Sequence, residues 1–119
     1  EKCKLFYGKY LMKTIYLIRH SSPFVEIDNY NDYKNVSWED YNRNMILSKD
    51  GEINAEKLCN IKELEGIKTI YASDSYRAIG TAKYIAELNK TKVKLDSRIN
   101  ERVLGIKKIT RLINFYQRN

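Results

Sequence analysis

Histidine is almost missing from this chain: His20 is the only one in 119 residues. Any chemistry that needs one imidazole must use it, and chemistry that needs two cannot be completed within these residues. Cysteine is nearly as sparse. Cys3 and Cys59 are the only two, and two distant thiols make neither a metal-ligand cluster nor a disulfide framework. A reducing, cytoplasmic setting is the simplest inference. No run approaches the roughly 18 apolar residues of a membrane span, so no membrane partner is expected. Residues 1–11 contain three lysines and two tyrosines but no long apolar core, which argues against a signal peptide. Internal repeats and low-complexity tracts are also lacking.

What is present fits one domain of ordinary size, with 43% hydrophobic residues to build one core. Met12 lies just before the first strongly apolar run, so residues 1–11 read as an N-terminal extension and 12–119 as the domain. The net charge of +7 and pI near 9.4 point to anionic partners or to a lysine-rich solvated surface. The lysines are scattered rather than gathered into a stripe, which argues against nucleic acid.

The β-branched and aromatic run Thr14-Ile15-Tyr16-Leu17-Ile18 reads as a buried first strand. Residues 21–47, rich in Asn, Asp and Tyr, read as a long excursion above the sheet with a short helix near Trp38–Asn42. An excursion of this length is often functional. Ser48 caps a helix whose first turn carries Asp50 and Glu52. Ala55, Leu58, Cys59, Ile61 and Leu64 give it an apolar face, and Gly66 closes it. Ile67–Ala72 is a second strand and Ser73-Asp74-Ser75 a turn and cap. Tyr76–Leu88 is a second helix, with Ala78, Ile79, Ala82, Ile85 and Ala86 inward. Val93–Leu95 is a third strand. Ile106, Ile109, Leu112, Ile113 and Tyr116 recur at helical spacing, predicting a final amphipathic helix. The order β-α-β-α-β predicts an α/β fold, three-layer α/β/α around a mostly parallel sheet.

In such a sheet the C-terminal strand ends share one edge, where ligands bind. That edge collects Arg19 and His20, then Ser73 and Arg77, then Glu101. Two arginines, one histidine and one carboxylate suit phosphate chemistry. Guanidinium groups hold phosphate oxygens in a fixed fork, and a neutral imidazole can attack phosphorus. Taken singly, Arg77 reads equally well as a helix-surface residue and Glu101 as a solvated loop charge. The combination points to a site.

Four segments in chain order resemble the histidine phosphatase superfamily, which includes the cofactor-dependent phosphoglycerate mutases. Leu17-Ile18-Arg19-His20 resembles its N-terminal signature. Leu47-Ser48-x-x-Gly51-x-x-Ala55 is similar to its Leu-Thr-x-x-Gly-x-x-Gln-Ala helix start. Ile70 to Ala82 resembles the segment carrying a second phosphate-binding arginine, and Ile99 to Gly105 the segment with an acid/base glutamate. The resemblance implies that His20 is the phosphorylated nucleophile and Glu101 the proton donor, with Arg19 and Arg77 clamping the phosphoryl group. It implies a phosphorylated small-molecule substrate and neither metal nor other cofactor.

Three departures stand out. Ser21 replaces a common glycine, and Gly80 replaces a longer residue at a helix-propensity cost of about 1 kcal/mol against alanine. The family's second histidine, in a later His-Gly motif, has no counterpart before Asn119. The expectation is therefore an incomplete, C-terminally truncated phosphoglycerate mutase-like fold. Phosphate-monoester hydrolysis or phosphoryl transfer through phosphohistidine would be impaired, and an exposed sheet edge would favour self-association. The alternative is an inactive remnant that binds phosphate-bearing ligands or serves as a protein-interaction module.

Overall fold

The computed structural model describes residues 2–7, 11–25 and 36–101. The final helix expected from Ile106 onward lies outside these residues, as does Arg102 to Gly105 of the last motif.

Strand β1 (Lys2–Tyr7) and strand β2 (Leu11–Tyr16) form an antiparallel ribbon, with Lys2 opposite Tyr16 and Tyr7 opposite Leu11. This corrects the reading of Thr14–Ile18 as the first strand of the parallel sheet. The strand starts earlier, ends at Tyr16, and pairs with the segment read as an extension. The physical reason is proximity: β1 is nearly adjacent in sequence, whereas pairing with the next strand must close a far longer loop. Leu17 and Ile18 follow the strand and are exposed, at 54% and 44%.

Helix α1 (Trp38–Asn44) lies within the long excursion where a short helix is expected. Ser37 caps it by accepting the Asp40 N–H at 3.1 Å. Helix α2 (Lys49–Glu56) starts at Ser48, whose Oγ accepts the Gly51 N–H at 3.0 Å. The apolar run beyond it does not continue as α-helix. It tightens into 3₁₀ turns at Lys57–Asn60 and Lys62–Leu64, before Gly66 with φ of +78°.

Strand β3 (Ile70–Ala72), helix α3 (Tyr76–Leu88) and strand β4 (Val93–Leu95) form a β-α-β unit. The two strands run parallel, with Ile70 opposite Val93 and Ala72 opposite Leu95. The fold is mixed α/β with a small parallel sheet, an incomplete α/β fold. No described helix is long and apolar enough to cross a membrane.

The core of the described residues joins Leu47, Ala55, Leu64, Ala72, Ile85 and Ala86. It packs α2 and α3 together and sets α3 against the sheet. Gly80 has a packing reason. A Cβ there would lie 3.1 Å from Leu47 Cδ1, so the glycine lets buried Leu47 approach α3. Asn89 locks the far end of α3. Its carboxamide accepts the Ile67 N–H at 3.0 Å and donates to the Leu64 and Ile85 carbonyls, both at 2.9 Å.

Candidate functional site

The segment after β2 is held by backbone pairing and by two helices. Ser22 C=O accepts the Ser48 N–H at 2.9 Å and the Ser48 hydroxyl at 3.2 Å. Phe24 N–H donates to the Ile46 carbonyl at 2.8 Å, beside an antiparallel bridge between Pro23 and Leu47. Gly51 is needed here. A Cβ at this position would meet the Ser22 carbonyl oxygen at 2.1 Å, so only glycine lets α2 and this segment come so close. Ser21, at the position where the family commonly has glycine, uses its hydroxyl to donate to Gly51 C=O at 2.7 Å.

His20 is half-buried at the start of this anchored segment. Its Nδ1 lies 2.8 Å from the Ser21 carbonyl oxygen. A carbonyl can only accept, so Nδ1 carries the proton and Nε2 keeps its lone pair in the neutral ring.

Arg77 occupies the first turn of α3 and is 3% exposed. A cation so deeply buried needs partners, and the guanidinium has two. It donates to the Asn42 carbonyl of α1 and to Glu101 Oε2 at 2.7 Å. Glu101 is far more open, with its side chain 63% exposed. Asn42 Nδ2 also donates to the same Glu101 oxygen at 3.4 Å.

Glu101 is set in place from both sides. Asp96 N–H donates to Ala72 C=O at 2.9 Å, extending the β3–β4 pairing by one residue. A 3₁₀ turn at Ser97–Ile99 follows, capped by the Asp96 carboxylate. Hydrogen bonds from the Arg98 side chain, and then from its backbone, hold the Asp96 carboxyl down at about 2. Next, Asn100 and Asp74 pair reciprocally. The Asn100 carboxamide donates to Asp74 Oδ1 at 2.6 Å and accepts the Asp74 N–H at 3.1 Å. Asp74 also binds Arg43 of α1 at 2.6 Å. The Arg43 and Asn100 hydrogen bonds hold its carboxyl below the usual carboxylate range.

These groups line a cleft of about 220 Å³, formed by Glu39, Asp40, Asn42 and Arg43 of α1, Ser73 to Ser75, Arg77, Asn100 and Glu101. Both arginines in it already hold a carboxylate, so an entering anion competes with Asp74 at Arg43 and with Glu101 at Arg77. Among the described residues, no cluster of three His, Cys, Asp or Glu side chains is arranged for a metal ion.

The structure thus brings Arg77 and Glu101 together. Arg19, which is exposed, and His20 are not among the residues lining that cleft. The link between the two groups is Thr81, whose Oγ accepts the Ser21 N–H at 2.9 Å and donates to the Arg77 carbonyl at 2.8 Å. Sequence reasoning singled out neither Thr81 nor the α1 contributions of Asn42 and Arg43. Thr81 was open to discovery, since it is the one hydroxyl on the inward stripe of α3. The Asn42 partner is a backbone carbonyl, for which no sequence signal exists.

A family model described as histidine phosphatase superfamily (branch 1) matches residues 15–110, most of the chain and all four motif segments. No curated protein matched the chain significantly.

Proposed function

The chain belongs to branch 1 of the histidine phosphatase superfamily, and from that premise we propose that it cleaves or transfers phosphate monoesters through a phosphohistidine at His20. Membership supports phosphatase or phosphoryl-transfer chemistry in general; the residue roles are our reading. The observation that carries it is the only imidazole in the chain, bound through Nδ1 to the Ser21 carbonyl with its Nε2 lone pair left available.

In this reading a phosphorylated small molecule displaces Glu101 from Arg77 and is clamped by Arg77 and Arg19. The Nε2 lone pair attacks phosphorus. The ester P–O bond breaks, and its electron pair leaves with the alcohol oxygen. The freed Glu101 carboxylate takes a proton from water as the ester displaces it, and gives that proton to the leaving oxygen. The guanidinium groups offset charge on the phosphoryl oxygens. In the second step the Glu101 carboxylate takes a proton from water, the oxygen attacks phosphorus, and the P–N bond breaks to restore His20.

The chain supplies no second imidazole, so turnover should fall well below the ~10 s⁻¹ of a median enzyme. The test uses para-nitrophenyl phosphate with the purified chain. A phosphorylated species that survives neutral pH but not acid should form, and His20→Ala should abolish both it and turnover. Unchanged turnover in His20→Ala rejects the reading. A second reading, a module that binds phosphate-bearing ligands without turnover, is favoured by one observation: Arg19 and His20 do not line the cleft that holds Arg77 and Glu101. Saturable phosphate-ester binding without a phosphorylated species would select it.

A further inference from the structure

Thr81 is 5% exposed and lies on α3 one turn beyond Arg77. Helix threonines commonly return their hydroxyl proton to the carbonyl four residues earlier, and Thr81 does so to Arg77 at 2.8 Å. With that proton committed, the oxygen can only accept from elsewhere. It accepts the Ser21 N–H at 2.9 Å, from a residue distant in sequence. Ser21 is in turn the residue whose carbonyl binds His20 Nδ1 at 2.8 Å. One hydroxyl therefore joins the helix turn of Arg77 to the residue whose carbonyl sets the imidazole, holding it by the N–H of the preceding peptide.

We propose that Thr81 is the positioning residue for His20: by holding Ser21 through its N–H, it sets the direction of the Ser21 carbonyl that follows, fixes the ring in the Nδ1–H tautomer and directs the Nε2 lone pair outward. Without that anchor, Ser21 keeps its hydroxyl bond to Gly51 and the Ser22–Ser48 pairing that follows it, but its N–H is released and its carbonyl can turn away from the ring. The ring then relaxes toward the Nε2–H form that a solvated histidine side chain prefers. The catalytic consequence rests on the reading of His20 as nucleophile, whereas the tautomer does not.

The chain has one histidine, so its ring nitrogens give a single unambiguous set of ¹⁵N NMR signals. In the full 119-residue protein above the histidine titration, the Nδ1–H pattern should dominate. Thr81→Val keeps the shape and removes the acceptor. It should lower the Nδ1–H to Nε2–H ratio by about five-fold, the worth of one ordinary hydrogen bond, and Thr81→Ser should restore it. A wild-type ring in the Nε2–H form, or a folded Thr81→Val with an unchanged ratio, overturns the proposal. If Thr81→Val does not fold, hydrogen exchange of the Ser21 amide in the wild-type protein decides. Protection supports the anchor and unprotected exchange overturns it. Turnover of para-nitrophenyl phosphate is measured in parallel. A shifted tautomer with unchanged kcat leaves the positioning role standing and rejects His20 as nucleophile.

Discussion

Replacing Gly51 by alanine sets helix propensity against a backbone clash, and the structure decides the sign. Alanine is favoured over glycine within a helix by up to about 1 kcal/mol, so on local grounds Gly51→Ala in α2 should stabilise. The new Cβ would sit 2.1 Å from the Ser22 carbonyl oxygen, whereas ordinary contact begins at 3.4 Å. The obstacle is backbone, which cannot rotate away as a side chain can. If the contact is held, overpacking costs about 1–3 kcal/mol. If the 21–24 segment withdraws, the Ser48 N–H to Ser22 and Ser21 hydroxyl to Gly51 hydrogen bonds are lost, at about 1 kcal/mol each. Either route costs about 2 kcal/mol, so the net change is a destabilisation of about 1–2 kcal/mol. Urea unfolding followed by circular dichroism should show a lower midpoint with an unchanged slope. The His20 ring resonances should shift, because the moved segment carries the imidazole. A variant as stable as the parent, or more stable, refutes the close approach and the anchoring built on it.

Gly80→Ala should be nearly neutral, within about 1 kcal/mol by the same unfolding assay. The helix gain there is opposed only by the Leu47 side chain at 3.1 Å, which can shift. Arg77→Ala should destabilise by about 2–3 kcal/mol, because the buried guanidinium bridges α1 and the 97–101 segment. Glu101→Ala should cost about 2–3 kcal/mol as well, since it leaves the buried Arg77 guanidinium with the Asn42 carbonyl as its remaining described partner; a loss below about 1 kcal/mol in denaturant titrations would contradict the need for that partner. Asp74 and Asp96 both have carboxyls held below the unfolded value of 3.8. The unfolded chain therefore binds protons first on acidification. Their contribution to stability is full above about pH 4 and fades as pH falls toward about 2. Urea midpoints measured from pH 5 to 2.5 should decline, and less steeply in Asp96→Asn; an identical slope in that variant would remove Asp96 from the account.

The local elements were legible because their signals are local. Ser48 with its acidic first turn marked α2, the apolar spacing from Ala78 to Ala86 marked α3, and Val93–Leu95 alternated as a strand. The boundary of the apolar run Ala55 to Leu64 was not legible. An apolar face at helical spacing does not distinguish a continuing α-helix from successive 3₁₀ turns, whose tighter winding here turns Leu64 inward and leaves Ile61 exposed. The first strand was misplaced for a related reason. Thr14–Ile18 is β-prone wherever it pairs, and that propensity does not say which strand is its partner.

The candidate residues Arg19, His20, Arg77 and Glu101 were legible as residue types in chain order, but the shared edge of a parallel sheet groups only Arg77 and Glu101 among the described residues, because the strand before Arg19 and His20 pairs in the antiparallel ribbon. Their individual settings were not legible. The sequence by itself determined the mixed α/β character, the helix caps, the lone imidazole and the placement of Arg77 in the first turn of a helix, since these depend on neighbours a few residues away. Tertiary structure alone decided that β2 pairs with β1, that Gly51 must be glycine because Ser22 approaches it, and that Asn42 and Glu101 take the Arg77 guanidinium between them. It also decided that one threonine hydroxyl joins that helix to Ser21, the residue whose carbonyl holds His20. Apart from the β1–β2 ribbon, whose strands are near neighbours, each of these is a contact between segments far apart in the chain, and its geometry exists only once the intervening loops have closed.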